Sequence, residues 1–229
     1  MKSKHKKAIY TLHGGATKIL KSHHLYKALR AEVLLKESPP YWWPNAGTFE
    51  VVVGAILTQN TTWHNVEKSL KNLEGSLTLA SFANLTPDTL KRAIKPSGFY
   101  NQKSQRLLTL SHHILADFQT FESFQKEVTR EWLLAQKGIG PETADSILCY
   151  GCFREEMVVD TYTKRLLEQY GIVFGTYDDY KHYLEEGIRA YCHDNLALLF
   201  AQFHGMIVEY GKQKEQLSLQ IEQRDAAPS

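Results

Sequence analysis

Past Ser38-Pro39-Pro40 the apolar positions recur every three to four residues, and no stretch sustains the strict alternation of a half-buried strand. Val51 to Leu57 is an apolar run that leads through Thr58-Gln59-Asn60 into a second helical stretch, where Val66, Leu70 and Leu73 recur at helical spacing. Thr86-Pro87-Asp88 opens another helix, because a proline at the first turn has no N–H to leave unpaired. Pro96-Ser97-Gly98 closes it. Helical spacing continues over 102–117 and 121–136. A last strong helix is expected over 195–216, with Leu199, Phe200, Phe203, Ile207 and Tyr210 on one face. The pattern predicts an all-α protein.

At 229 residues, 43% hydrophobic and 23% charged, the chain has the make-up of an ordinary globular protein able to bury one good core or two small ones. A net charge of +2 does not announce a polyanionic partner, so any such footprint must be local to one face. The first 30 residues hold eight Lys and Arg, and no acid precedes Glu32. Residues 1–30 therefore read as a disordered basic extension, or as a weak phosphate tether that salt would release. No apolar run reaches the roughly 18 residues needed to cross a bilayer, and no signal-peptide pattern opens the chain. Cys149, Cys152 and Cys192 form no even disulfide framework and fit a reducing, cytoplasmic compartment. Cys149-x-x-Cys152 looks like half a metal site, but the pair reads better as buried thiols. The histidines show no ligand spacing with carboxylates, so no metal is expected.

The most specific local pattern spans 137–164. Gly138, Ile139 and Gly140 sit between a helix with apolar Trp132, Leu133 and Leu134 and a second helix opening at Pro141. Glycine at both positions permits a tight turn and lets backbone N–H groups approach a ligand. With the free N–H groups of the next helix start, they form an anion site the size of one phosphate. Twenty residues after Gly140 comes Asp160, between Val158-Val159 and Thr161. On spacing alone it fits an N-cap for the helix through Lys164 and Leu167 before a semi-buried catalytic carboxylate. A phosphate clamp and a carboxylate at fixed separation point to chemistry on a nucleic-acid strand.

This segment resembles the helix-hairpin-helix DNA glycosylases of the endonuclease III superfamily. Their pattern is Gly-hydrophobic-Gly, then Thr-Ala, then Val-Asp-Thr; here it stands as Gly138-Ile139-Gly140, Thr143-Ala144 and Val159-Asp160-Thr161. The resemblance covers about residues 40–215. It implies two helical lobes with an interlobe active-site cleft: a terminal lobe of 31–44 plus 156–229, and a central lobe of 45–155 with the hairpin at 138–140. It also implies duplex DNA as partner, held at the hairpin, with Asp160 stabilising the positive sugar as the C1′–N bond breaks. Bifunctional members carry a nucleophilic lysine two residues after the second hairpin glycine; Glu142 stands there. A carboxylate forms no Schiff base, which implies a monofunctional enzyme that leaves an abasic site uncut. Many relatives end in four cysteines that hold an iron–sulfur cluster. Nothing after Cys192 is cysteine, so neither cluster nor other cofactor is expected. The implied state is a monomer at the nucleoid of a bacterial cytoplasm.

Tyr41-Trp42-Trp43-Pro44 and Trp63 form an unusual aromatic set, which fits either a packing plug or a slot for a flat, positively charged base. Within the superfamily the chain looks like the small bacterial 3-methyladenine DNA glycosylases of endonuclease III type. Trp-Trp-Pro-Asn at 42–45, Leu57-Thr58-Gln59-Asn60-Thr61 and Pro96 to Lys103 carry that likeness. It implies a base pocket with Trp42, Trp43 and Pro44 on one side and Trp63 on the other, near Lys212, which otherwise reads as a surface lysine. It implies excision of alkylated purines from duplex DNA, with Gln59 filling the vacated stack and Phe99 wedged beside the orphaned base. Gln59 also reads as a helix-turn cap and Phe99 as core packing. Lys103 and Lys137 read as phosphate contacts, and His204 as a satisfied helix histidine or another wall of the pocket. The alternatives are a glycosylase for mismatched thymine, uracil or adenine, and a non-catalytic helix-hairpin-helix module.

Overall fold

The structure, a computed structural model, describes residues 9–11 and 17–213. In chain order the elements are β1 (Ile9–Thr11), β2 (Thr17–Ile19), α1 (Ser22–Ala31), α2 (Phe49–Leu57), α3 (Trp63–Asn72), α4 (Leu79–Ala83), α5 (Pro87–Ala93), α6 (Tyr100–Phe118), α7 (Phe121–Glu127), α8 (Arg130–Leu134), α9 (Pro141–Ser146), α10 (Thr161–Gln169), α11 (Tyr177–Arg189) and α12 (Leu196–Lys212). A 3-10 turn at Lys95–Ser97 precedes α6, and a π-helical turn at Ile147–Gly151 extends α9. The protein is helical, with one addition to the expected all-α pattern: β1 and β2 pair antiparallel, Ile9 opposite Ile19. Their β-branched residues favour that ribbon, but three residues per strand are too few to show alternation in the sequence. No helix among the described residues is long and apolar enough to cross a membrane.

The chain divides into two compact units, 43–154 and 1–42 together with 155–229. In the first, α2 is apolar on every side and runs through the core, with all its residues but Glu50 buried. Val66 and Leu70 of α3, Leu90 of α5, Leu107, Leu110 and Ile114 of α6 and Leu133 of α8 complete the same cluster. The expected helix over 121–136 is two helices. Val128 turns extended and Thr129 recaps the chain, its hydroxyl accepting from the Trp132 N–H. Asp145 of α9, fully buried, receives Arg130 Nε of α8 at 2.8 Å and fixes the two helices that flank the hairpin.

In the second unit α12 supplies Phe200, Phe203 and Ile207 to a core shared with α1, α10 and α11. The expectation for residues 1–30 is corrected here. Leu25 and Leu29, one helical turn apart, are buried in this core together with Leu20, so α1 is an integral helix whose apolar stripe the count of basic residues concealed. Residues 1–8 and 12–16 of the expected extension, and 214–216 of the last expected helix, lie outside the described residues.

Candidate active site

Two backbone N–H groups hold the approach to Asp160 onto α11: Met157 N donates to Glu185 Oε1 at 2.9 Å, and Val159 N to the Tyr177 hydroxyl at 3.2 Å. Asp160 then caps α10, Oδ1 accepting from Thr163 N at 2.8 Å and from Thr163 Oγ1 at 2.9 Å. Thr78, Thr86, Thr120, Thr129 and Thr176 cap their helices by the same bond from a hydroxyl. A threonine would therefore serve the cap at 160, and the choice of a carboxylate calls for another reason. Its second oxygen supplies one: Oδ2 stands 3.6 Å from Nε2 of the buried His204, and the Asp160 side chain is only 15% exposed. Burial works against its ionisation, but His204 and the two Thr163 donors outweigh it and hold the carboxyl below its ordinary value.

His204 also meets the edge of Trp42, ring centres 5.5 Å apart at 88°. Trp42 Nε1 donates to Glu209 Oε1 at 3.0 Å, and Lys212 Nζ donates to the same oxygen at 2.8 Å while standing 5.8 Å from the indole centre. Positions 205, 209 and 212 share one face of α12. Gly205 makes that face passable: a Cβ there would overlap the indole, within 2.8 Å of Trp42 Cβ and Cδ2. Asp160, His204, Trp42, Glu209 and Lys212 thus form one contiguous cluster. Asp160, Trp42 and Lys212 were legible as candidates, and His204 as a pocket wall or a satisfied helix histidine, whereas Glu209 was not. The only sequence signal for Glu209 is its helical spacing from Lys212.

The remaining aromatic candidates lie in the other unit. Trp43 is buried, edge-on to Trp63 at 5.3 Å and tilted on Tyr150 at 5.1 Å. Trp63 is half-buried and donates Nε1 to Glu67 at 3.0 Å, and Pro44 is exposed. Core packing is what these contacts show for Trp43.

The hairpin turns at Gly138, whose φ of +85° lies in the left-handed region. Ile139 is buried beneath it, and Gly140 is the N-cap of α9. Gln59 is tied to this turn: Nε2 donates to Gly138 O and Thr143 Oγ1, both at 3.0 Å, and Oε1 accepts from Arg106 Nη1 at 3.1 Å. Phe99 is 63% exposed at a φ of +46°, which excludes the core-packing alternative. Glu142 is exposed on the first turn of α9.

Lys103 corrects an expectation. Its side chain is buried and donates to Leu57 O and Ser97 O, each at 2.8 Å, so it does not meet phosphate. Those carbonyls end the segments just before Gln59 and Phe99, and one ammonium fastens both. Burial, with Arg106 adding to it, lowers its pKa to about 8. Lys103→Met leaves both carbonyls unsatisfied and is expected to cost about 2 kcal/mol in urea unfolding. Because the folded state releases the proton first, stability rises with pH from about 8 to the ordinary 10.5. The gap between wild type and variant should widen over that window.

Cys149 and Cys152 are buried in one unit, the Cys152 thiol pushed up to about 12 by burial, and Cys192 belongs to the other unit. Among the described residues no group of three or more His, Cys, Asp or Glu could hold a metal ion.

Residues 53–190 match the model of the HhH-GPD superfamily of base excision DNA repair proteins. A Helicobacter pylori 3-methyladenine DNA glycosylase, solved with 1,N6-ethenoadenine bound, is 47% identical at a TM-score of 0.81, covering 86% of this chain and all of that one. A Methanocaldococcus jannaschii protein, provisionally named a DNA repair glycosylase, is 39% identical over 180 residues, 75% of this chain and 80% of its own. Endonuclease III of Thermotoga maritima is 29% identical over 167 residues, 72% of this chain and 73% of its own. The chain belongs to the HhH-GPD superfamily and is a DNA glycosylase of that class, with DNA as its macromolecular substrate.

Proposed function

We propose that this glycosylase excises alkylated purines, foremost 3-methyladenine, from duplex DNA by hydrolysis, and that it cuts no strand. The observation that carries the reading is the contiguous Asp160–His204–Trp42–Glu209 arrangement. The nature of the H. pylori neighbour supports it. An indole whose N–H is held by Glu209 presents a fixed aromatic face, and two carboxylates beside one lysine do not repel a cationic base. A base methylated at N3 already carries positive charge, so it departs neutral when the C1′–N bond breaks and its electron pair goes to nitrogen. Positive charge then builds on the sugar. The ionised Asp160 stabilises that charge, water adds at C1′, and the water's proton is lost to the carboxylate or to solvent. The products are the free base and an abasic site.

Gln59 would fill the vacated stack and Phe99 would press beside the orphaned base, with the hairpin at 138–140 on the DNA backbone. With Glu142 in place of the lysine, the proposal includes no Schiff base and no elimination. It further includes a cofactor-free monomer. Incubation with methylated duplex DNA, followed by chromatography of the released bases, tests the substrate. Release of 3-methyladenine is expected. Release of no alkylated base, with thymine, uracil or adenine leaving mismatched duplexes instead, would overturn the assignment.

A further inference from the structure

A cleft of about 280 Å³ opens between α6 and the hairpin, lined among others by Gln102, Gln105, Arg106, Gln136 and Lys137. Its lining holds two cations and no acid. Among the described residues neither Arg106 nor Lys137 is ion-paired with a carboxylate. Uncompensated positive charge among amide donors favours an anion, and at about 30 Å³ per water the volume exceeds several waters, enough for a phosphodiester. Arg106 also lies against the hairpin: a Cβ at Gly138 would overlap its side chain, standing 2.8 Å from Cζ. The same guanidinium donates Nη1 to Gln59 Oε1, and Gln59 returns to the hairpin through Gly138 O. Arg106, Gln59 and Gly138 therefore close a ring at the edge of the cleft.

We propose that the cleft seats one phosphodiester of bound DNA on Arg106 and Lys137, separately from the hairpin amides, and that Arg106 couples this contact to the position of Gln59. An arginine offers five N–H donors, so one guanidinium can serve both phosphate and Gln59. Any shift of it toward the anion moves the anchor of Gln59. By linkage, departure of Gln59 into the stack strengthens the phosphate contact in equal measure. The coupling rests on Gln59 entering the stack, as proposed above; the seat does not depend on which base is excised.

Binding of a duplex carrying one tetrahydrofuran abasic-site analogue, which leaves an empty place in the stack for Gln59, followed by fluorescence anisotropy across a sodium chloride series, tests this. The proteins compared are wild type, Arg106→Met, Lys137→Met, Gln59→Ala and the two double variants with Gln59→Ala. Each cation variant should reduce the slope of log affinity against log salt by about 0.9, weakening binding by up to about eightfold at 0.1 M salt. Gln59→Ala should leave the slope unchanged. The losses from Arg106→Met and Gln59→Ala should combine to less than their product, whereas those from Lys137→Met and Gln59→Ala should multiply. Lys137 is exposed, so its variant reports on the seat even if Arg106→Met is poorly folded. Wild-type slopes in the cation variants would overturn the seat. Multiplicative losses for Arg106→Met with Gln59→Ala would overturn the coupling. A wrong lesion assignment changes neither result, because the analogue carries no base.

Discussion

Asp160→Asn should lower the single-turnover excision rate by about a thousandfold or more while leaving duplex affinity within about twofold of wild type. The substitution is nearly isosteric. The amide oxygen can still accept from Thr163 N and Oγ1, and asparagine caps helices about as well as aspartate, so stability should change by less than about 0.5 kcal/mol. What disappears is the negative charge beside His204. Since Asp160 titrates below the ordinary 3.8, the stability its ionised form contributes is complete above that value and is lost only as pH falls through the lower folded-state value. Wild-type excision should accordingly persist at mildly acidic pH. Equal excision by Asp160→Asn and wild type would reduce Asp160 to a cap; absence of excision from both would count against the alkylated-purine assignment.

Gly205→Ala should separate the placement of Trp42 from the stability of the helix that supports it. In isolation the change favours α12, because alanine exceeds glycine in helix propensity by about 1 kcal/mol. In place, the new methyl overlaps the Trp42 indole, which must move or tilt away from His204 and Glu209. Displacements of about 1 Å in a positioning group cost on the order of a hundredfold in rate. The expected result is a thermal midpoint near that of wild type with excision of 3-methyladenine reduced about 10- to 100-fold. Glu209→Gln is the milder companion, because an amide oxygen still accepts the indole N–H. Wild-type rates in Gly205→Ala would show that the position of Trp42 does not govern excision.

The features legible in the sequence are those written locally. Helical spacing disclosed α3 and α12, and the hairpin with Asp160 lies within one short stretch of motif. The meetings of His204 with Asp160 and of Glu209 with Trp42 stayed hidden because the partners are remote in the chain: Asp160 lies 44 residues before His204, and Trp42 lies 167 residues before Glu209. No periodicity reports such a meeting. α1 was concealed because its basic residues dominate a charge count, although Leu25 and Leu29 carry the core stripe. Lys103 misled for the opposite reason. A lysine in a loop-to-helix segment suggests phosphate, and only the fold shows its stem buried and its ammonium on two carbonyls. The threonine caps at Thr78, Thr120 and Thr176 are, in turn, what make the carboxylate at 160 informative.

One reaction tests the central claim most directly: a single-turnover incubation of a duplex bearing one 3-methyladenine, run with borohydride present. Free base, strand length and covalent protein–DNA adduct are read from the same sample. Hydrolysis assisted by Asp160, with glutamate at 142, predicts stoichiometric release of 3-methyladenine, a full-length strand before alkali and no trapped adduct. A trapped adduct or a nicked strand would contradict the hydrolytic mechanism, and a duplex that keeps its 3-methyladenine would contradict the substrate.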